Sequence, residues 1–411
     1  MEQIWFYLEP YIFISDDENK FLFYNTNTSQ GLLFEKNDVI NKTVKHLQNP
    51  VNMYSILIDV KDMKNSDLYN LIVSLQEAGY GDVIEGDLTK PVIMPPVLNL
   101  QKSVERLKKN NMPTGDNILS YLHEVTIYIN GNCHRNCNEC RHLFKQLPFC
   151  TISDNILDFE ELNSFLSSIA YTYTNINITG GNPFQYPKLY ELLDVLGKRF
   201  AMQTFIINYK NIPDDINVLY IFSFAQFRLK IVVSGIYQIE EMMLIADKLR
   251  QGKINQLWEI AITSIDEFEK AEQLNVHLSE RDIEVEIKPF YTTNNLSFFE
   301  ENIFLRQEDI ISVNLDRQDV FALQALNTND FGKLVILSDG KVYANVNQPS
   351  IGYFQEPIWD ILCRELENGK SWRNTRYNIS PCNQCCFKLI CPSPSNYELV
   401  IGKPNLCHVK P

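Results

Sequence analysis

No apolar run in this 411-residue chain is long enough to span a membrane as a helix. Nor does it open on a basic n-region: Met1 to Trp5 read Met-Glu-Gln-Ile-Trp, and the acidic run Asp16-Asp17-Glu18 follows soon after. A secretory signal is therefore not expected. Positive charge is in deficit, with 37 Lys and Arg against 51 Asp and Glu and a net charge of −14. That balance excludes a protein that wraps nucleic acid through phosphate contacts. Internal repeats and low-complexity tracts are absent too. What remains is a soluble globular profile, 45% hydrophobic and 21% charged, expected in the cytoplasm. The length exceeds one ordinary core, so two or three domains are expected.

Against these absences stand ten cysteines. In a compartment that keeps thiols reduced, so many need a reason other than disulfides. Eight fall in two clusters or their immediate flanks, and clustering points to metal.

The first hundred residues read as a small α/β unit. Tyr11 to Ser15 and Phe21 to Tyr24 flank a polar turn and predict a hairpin. Ser55 to Val60 predicts a strand. Asn65-Ser66-Asp67 is a helix-cap signal, after which Leu68, Leu71, Ile72 and Leu75 recur at helical spacing until Gly79. Pro91, Pro95 and Pro96, then a polar stretch around Ser103 to Asn111, mark a linker.

From about residue 120 the pattern alternates. Strands are predicted at Glu124–Asn130, Asn175–Thr179, Thr204–Asn208, Arg228–Ser234, Leu257–Thr263 and Ile283–Tyr291. Helical periodicity lies between most of them, as in Tyr237–Arg250 with Ile239, Met242, Met243 and Ala246 on one side. Alternation of this kind argues for parallel pairing in an open, partial barrel, whose reactive ends are the C-terminal ends of its strands. Leu334–Leu337 and Lys341–Ala344 flank an Asp339-Gly340 turn and predict another hairpin, and Ile358–Leu366 a helix.

Two motifs carry chemistry. Cys133, Cys137 and Cys140 are spaced C-x3-C-x2-C directly after the first of the six strands. Three thiolates in one loop reach one face of an iron–sulfur cluster and leave one iron open. A zinc site drawing on His134 or His142 is the alternative. In the tail, Cys382, Cys385, Cys391 and Cys407 are spaced C-x2-C-x5-C-x15-C, four thiolates that suit a closed cluster or a structural zinc.

These motifs resemble those of the radical SAM/SPASM peptide maturase family, and the chain is close to a Bacteroidales group of pseudo-radical-SAM/SPASM proteins encoded beside true maturases. The resemblance implies a partial (β/α)6 radical SAM barrel, with an N-terminal winged-helix-like α+β domain and a C-terminal cysteine-rich extension. The implied divisions are 1–95 for the small domain, 96–120 for the linker, 121–310 for the barrel and 311–411 for the extension. Cys133, Cys137 and Cys140 would hold the 4Fe–4S cluster whose open iron binds S-adenosylmethionine, and reduction would yield a 5′-deoxyadenosyl radical that abstracts hydrogen. Gly180-Gly181-Asn182-Pro183 resembles the family's Gly-Gly-Glu-Pro segment, with Asn182 in place of the acid. Asn208 and Ser234 stand where the family's third and fourth strand ends meet the cofactor, although each would equally satisfy turn backbone. Glu139 stands where the family usually has an aromatic residue.

Cys382, Cys385, Cys391 and Cys407 match one complete auxiliary-cluster set. The other set is incomplete, with Ser395 at the fourth position and no cysteine at the hairpin exit Tyr343-Ala344-Asn345. Cys386 is then a spare, and Cys150 and Cys363 are core or free thiols. The family also implies partners: a precursor peptide whose leader adds a strand to the N-terminal domain, an electron donor such as ferredoxin or flavodoxin, and, for the pseudo-group, a true maturase. A purely structural cap is the alternative for residues 1–95. The functional alternatives are an enzyme, a binding partner with little chemistry of its own, and a zinc-binding structural protein. Asn182, Glu139 and the missing auxiliary ligands favour the partner; the intact triad favours the enzyme.

Overall fold

The computed structural model describes residues 3–98, 106, 109–111, 117–133, 135, 140–151, 153–170, 172–201, 203–215, 218–219, 222 and 227–409, with Cys140 and Arg141 described by their backbone alone. Most of the polar stretch Ser103 to Asn111 lies outside the described residues.

The fold is mixed α/β around a parallel sheet. Strands β7 (Glu124–Tyr128), β8 (Asn175–Thr179), β9 (Gln203–Asn208), β10 (Phe227–Val233), β11 (Asn255–Ile262) and β12 (Glu284–Pro289) lie side by side in sequence order. Each expected strand of the alternating region is present, with no end moved by more than two residues. All five pairings among them are parallel, for example Tyr128 opposite Thr179 and Ile231 opposite Ile207. Side chains alternate across such strands. One set, including Ile127, Ile178, Phe205, Ile231, Trp258 and Ile260, is fully or nearly fully buried. It packs with Leu162, Leu192, Met242 and Leu274 from the intervening helices Phe159–Ser168, Leu189–Arg199, Ile239–Gln251 and Ile265–Ser279.

The opposite face is layered. Lys230 pairs with Glu259 at 2.5 Å and with Glu286 at 3.3 Å. Burial acts to hold the Glu259 carboxyl above the usual range despite the attraction of Lys230. Nearer the C-terminal strand ends, Ile206, Val232, Ala261 and Phe290 form an apolar layer with Leu143, Phe149 and Cys150. Those last three come from the segment after the cysteine triad.

Among the described residues the sheet has nine strands. The expected hairpin, β13 (Lys333–Ile336) and β14 (Lys341–Tyr343), joins it, with β13 parallel to β7, and β15 (Gly352–Tyr353) completes the edge. Gly340 sits at φ +82°, the backbone region the turn requires. The extension is thus continuous with the main sheet.

The N-terminal unit contains the expected hairpin, β2 (Ile12–Asp16) and β3 (Lys20–Asn25), joined by β4 (Gln30–Glu35) in one antiparallel sheet. A second antiparallel sheet has the order β5 (Ser55–Asp59), β1 (Gln3–Leu8), β6 (Gly81–Glu85). Helices Asp38–Gln48 and Ser66–Glu77 pack on it, the second capped by Asn65 as its sequence indicates. Among the described residues, no helix is long and apolar enough to cross a membrane.

The two ends of the chain share one core. Phe13, Leu22 and Tyr24 pack with Ile310, Val320, Phe387, Leu389 and Ile390. The Tyr24 hydroxyl donates to the Val313 carbonyl at 2.8 Å and accepts from the Leu315 amide at 3.1 Å. Removing that hydroxyl leaves both backbone groups without this partner. Tyr24→Phe is therefore expected to lower stability by about 1–3 kcal/mol in denaturant unfolding, with the secondary structure of the folded state unchanged.

Candidate functional site

The exits of neighbouring strands β7 to β10 bring the candidate residues to one end of the sheet. After β7 the chain runs through Asn130, Gly131 and Asn132 to Cys133. Asn130 is fully buried, and its amide group is fully engaged. Its Oδ1 accepts from the Gly181 amide at 3.1 Å, and its Nδ2 donates to the Asn182 carbonyl at 2.9 Å. The Asn182 amide in turn donates to the Asn132 carbonyl at 2.6 Å. The run Asn130 to Asn132, which leads into Cys133, is therefore fastened to the Gly181-Asn182 segment.

This contact explains the two glycines. A Cβ on residue 180 would lie 2.5 Å from Asn130 Oδ1, and one on residue 181 would lie 2.4 Å from the Asn132 carbonyl oxygen. Both distances are below what heavy atoms tolerate. Their close backbone approach is to the β7 exit.

Asn182 caps the short turn Pro183–Gln185, its Oδ1 accepting from the Phe184 amide at 3.1 Å. Asn208 does the same at the β9 exit, accepting from the Lys210 amide at 2.8 Å. Its Nδ2, however, is buried with no hydrogen-bond partner, a costly state that a bound acceptor would relieve. Ser234 follows β10 directly and is 3% exposed. Cys137 lies outside the described residues, as do His134 and Glu139. Cys140 begins the helix Cys140–Leu143, and its side chain is not described.

Asn211 was not singled out by sequence. It is buried, donates through Nδ2 to the Gly181 carbonyl at 3.1 Å, and lies within 3.8 Å of Cys133 Sγ through Oδ1. It thus joins the thiol to the glycine segment. Nothing in the turn Tyr209–Asn211 marks it out beforehand.

A cavity of about 620 Å³ opens at the end of β12. His142 and Gln146 line it from the segment after the triad, Phe290 to Thr293 from the end of β12, and Asn347 and Leu399 from the extension. Gln146 fastens this segment across to β12: its Nε2 donates to the Tyr291 carbonyl at 2.9 Å, and its Oε1 accepts from the Tyr291 amide at 2.8 Å.

The tail cysteines form a second centre. Cys382, Cys385, Cys391 and Cys407 line one cavity, although the last is distant in sequence. Cys407 is brought back by pairing with Leu305, whose amide donates to the Leu406 carbonyl and whose carbonyl accepts from the His408 amide. N–H groups face the sulfurs: Asn405 Nδ2 lies 3.2 Å from Cys407 Sγ, and Arg376 Nη1 lies 3.9 Å from Cys382 Sγ. Among the described residues, no three His, Cys, Asp or Glu side chains are arranged to hold a single metal ion. Four thiols lining one small cavity, with N–H donors beside two of them, are a donor set of the kind that an iron–sulfur cluster or a structural zinc uses. Burial pushes the Cys391 thiol up to about 12, against the pull of Arg376.

Cys386 does not line this cavity. It is buried against Asp17 and Cys385 in the shared core. Its hydrogen bond to Cys385 draws that thiol down to about 7. The positions that lack cysteine carry structural polar groups instead. Ser395 caps the helix Asn396–Ile401 in a reciprocal arrangement with Glu398. Asn345 donates to Asp330 at 3.0 Å and to Asn396 at 2.7 Å. Cys363 is half-buried on the helix Ile358–Asn368.

The glycine contact is open to a direct check. Gly181→Ala must displace the Asn132 carbonyl, and overpacking of this kind costs about 1–3 kcal/mol. Thermal unfolding should show that loss, and limited proteolysis should show faster cleavage near Cys133.

No protein-family model matches the chain, and no curated protein matches it in sequence. Among solved structures it is similar to SuiB of Streptococcus suis, with 14% identity, a TM-score of 0.47, and coverage of 98% of this chain and 100% of SuiB. A structure of SuiB bound to precursor peptide SuiA is similar at 14% identity and a TM-score of 0.45, covering 100% of this chain and 99% of that one. Native anSMEcpe with bound AdoMet and Cp18Cys peptide is similar at 13% identity and a TM-score of 0.45, covering 65% of this chain and 87% of that one.

Proposed function

We propose that this chain is a radical SAM enzyme that modifies a ribosomally made precursor peptide. The observation that carries this reading is the lacing of the run leading into Cys133 to the Gly181-Asn182 segment at adjacent strand exits, with the unpartnered Asn208 Nδ2 at the β9 exit. Six parallel strands in sequence order fit a partial (β/α)6 barrel with its reactive end there.

Cys133, Cys137 and Cys140 would hold a 4Fe–4S cluster. Gly180, Gly181, Asn182, Asn208 and Ser234 would line S-adenosylmethionine. Asn208 Nδ2 would donate to the cofactor, while Asn182 would face it without the charge of an acid and with its Oδ1 already engaged as a cap. Hydrogen abstraction by a 5′-deoxyadenosyl radical is the chemistry these groups supply when bound. Cys382, Cys385, Cys391 and Cys407 would hold one auxiliary 4Fe–4S cluster. The structural use of Ser395 and Asn345 fits the loss of a second.

The peptide would reach the strand ends through the cavity lined by His142, Gln146 and Leu399. Its leader would bind residues 1–95, read as a winged-helix-like unit. There β5 is an edge strand, and a groove of about 690 Å³ runs between it and the helix Asp38–Gln48, lined by Val39, Lys42, His46 and Leu57. An added strand on such an edge gains main-chain hydrogen bonds. The working environment would be the cytoplasm, with an electron donor of the ferredoxin or flavodoxin class.

One observation favours a second reading, a partner protein with little chemistry of its own. The apolar layer of Leu143, Phe149, Cys150 and Phe290 already covers the sheet face beneath the strand ends.

Anaerobic reconstitution separates the two. The enzyme reading expects about eight irons per chain, four for each cubane, and 5′-deoxyadenosine on reduction with S-adenosylmethionine. Joint replacement of Cys133, Cys137 and Cys140 by Ala should abolish cleavage and leave about four irons. About four irons in the unaltered chain, with no cleavage, would establish the partner reading instead.

A further inference from the structure

Arg376 places a buried charge beside the tail thiols. The residue is 5% exposed and held on every side. Its Nε donates to the Pro392 carbonyl at 2.7 Å and its Nη1 to the Pro404 carbonyl at 3.3 Å. The same Nη1 lies 3.9 Å from Cys382 Sγ. Nη2 pairs with Glu398 Oε1 at 2.7 Å. Arg376 lines the thiol cavity and Glu398 does not. The other Glu398 oxygen accepts from the Ser395 amide at 2.9 Å, on the helix-cap side. The pair is therefore an oriented dipole with its cationic end toward the sulfurs.

A buried ion pair is an expensive way to fasten a loop, because desolvation offsets much of the attraction. The cost has a purpose if a negative group occupies the cavity. Four thiolates around a cubane give such a group, and one-electron reduction makes it more negative still. Lys388 also lines the cavity, but its Nζ donates to the Asp16 carbonyl at 3.1 Å, toward the N-terminal turn.

We infer that Arg376 is the counter-cation of the cluster held by Cys382, Cys385, Cys391 and Cys407, and that the Arg376–Glu398 pair sets its reduction potential. The inference rests on the auxiliary-cluster reading above. The electron comes from an external low-potential one-electron donor, and no proton or bond change accompanies it. Arg376 acts as a positioning residue with an electrostatic role.

The test uses the full chain with Cys133, Cys137 and Cys140 replaced by Ala, so that only tail iron contributes. Reduction is followed by electron paramagnetic resonance at set potentials. Arg376→Gln should lower the reduced-to-oxidised ratio at fixed potential at least tenfold, equivalent to about 59 mV for a one-electron couple. Glu398→Gln leaves the cation uncompensated and should raise the ratio. Arg376→Lys should stay within about threefold of the parent, a shift well inside that tenfold interval.

Opposite signs for Arg376→Gln and Glu398→Gln are the signature, because a purely structural pair would move both variants together. Shifts of the same sign, or none, overturn the inference. Should Arg376→Gln fail to load iron, the Glu398→Gln shift decides alone: upward supports the inference, and unchanged or downward sinks it. A parent chain with no tail iron overturns the cluster reading and the inference with it. Iron with unmoved potentials overturns the inference alone.

Discussion

Two strand exits occupy nearly the same space in this protein, and much of the candidate site follows from that contact. The β7 exit can lie against the β8 exit only because residues 180 and 181 carry no side chain. Asn130 turns the proximity into a fixed geometry. Buried away from water, it must satisfy both ends of its amide, and the Gly181 amide and Asn182 carbonyl are what it meets. Cys133 is placed by this lacing before any bound group contributes. Asn211 then ties the third exit to the same point.

The parallel strands were legible because each is an apolar run bounded by turn residues, with helical periodicity between them. The side facing the helices is uniformly aliphatic or aromatic, as in Ile127, Ile178, Ile231 and Ile260, and that pattern survives tertiary context. Strands whose partners are distant in the chain were harder to read. β1 pairs with β5 and β6, some fifty to eighty residues away, and β13 reaches across the chain to β7. Nothing local encodes those choices. The cysteine spacings were legible as two groups. What brings Cys407 to the other three is backbone pairing with Leu305, which leaves no mark on composition. Arg376 and Asn211 were invisible for the same reason. Each is an ordinary polar residue until the fold buries it beside a sulfur.

Ser395 and Asn345, where the family resemblance would place cysteines, serve the fold. Ser395 closes a helix end, and Asn345 holds Asp330 and Asn396 together. Burial raises the Asp330 carboxyl to about 6, despite the opposing hydrogen bond from Asn345. The tail thus holds a polar network around Asn345 and four thiols that line one cavity. The Arg376–Glu398 pair links the two, since Glu398 belongs both to the helix cap and to the ion pair.

The core shared by the chain's two ends bears on how the protein is made. One face of β2 and β3 is covered by Phe387, Leu389 and Ile390, and those residues follow the hairpin far later in the chain. At about 5–20 residues per second, the first hairpin leaves the ribosome tens of seconds before its cover exists. During that interval Phe13, Leu22 and Tyr24 are exposed to the cell. A ribosome that stalls before Phe387, or a protease that removes the segment carrying it, would leave this face of the hairpin uncovered, so completion of that segment would double as a checkpoint on the fold.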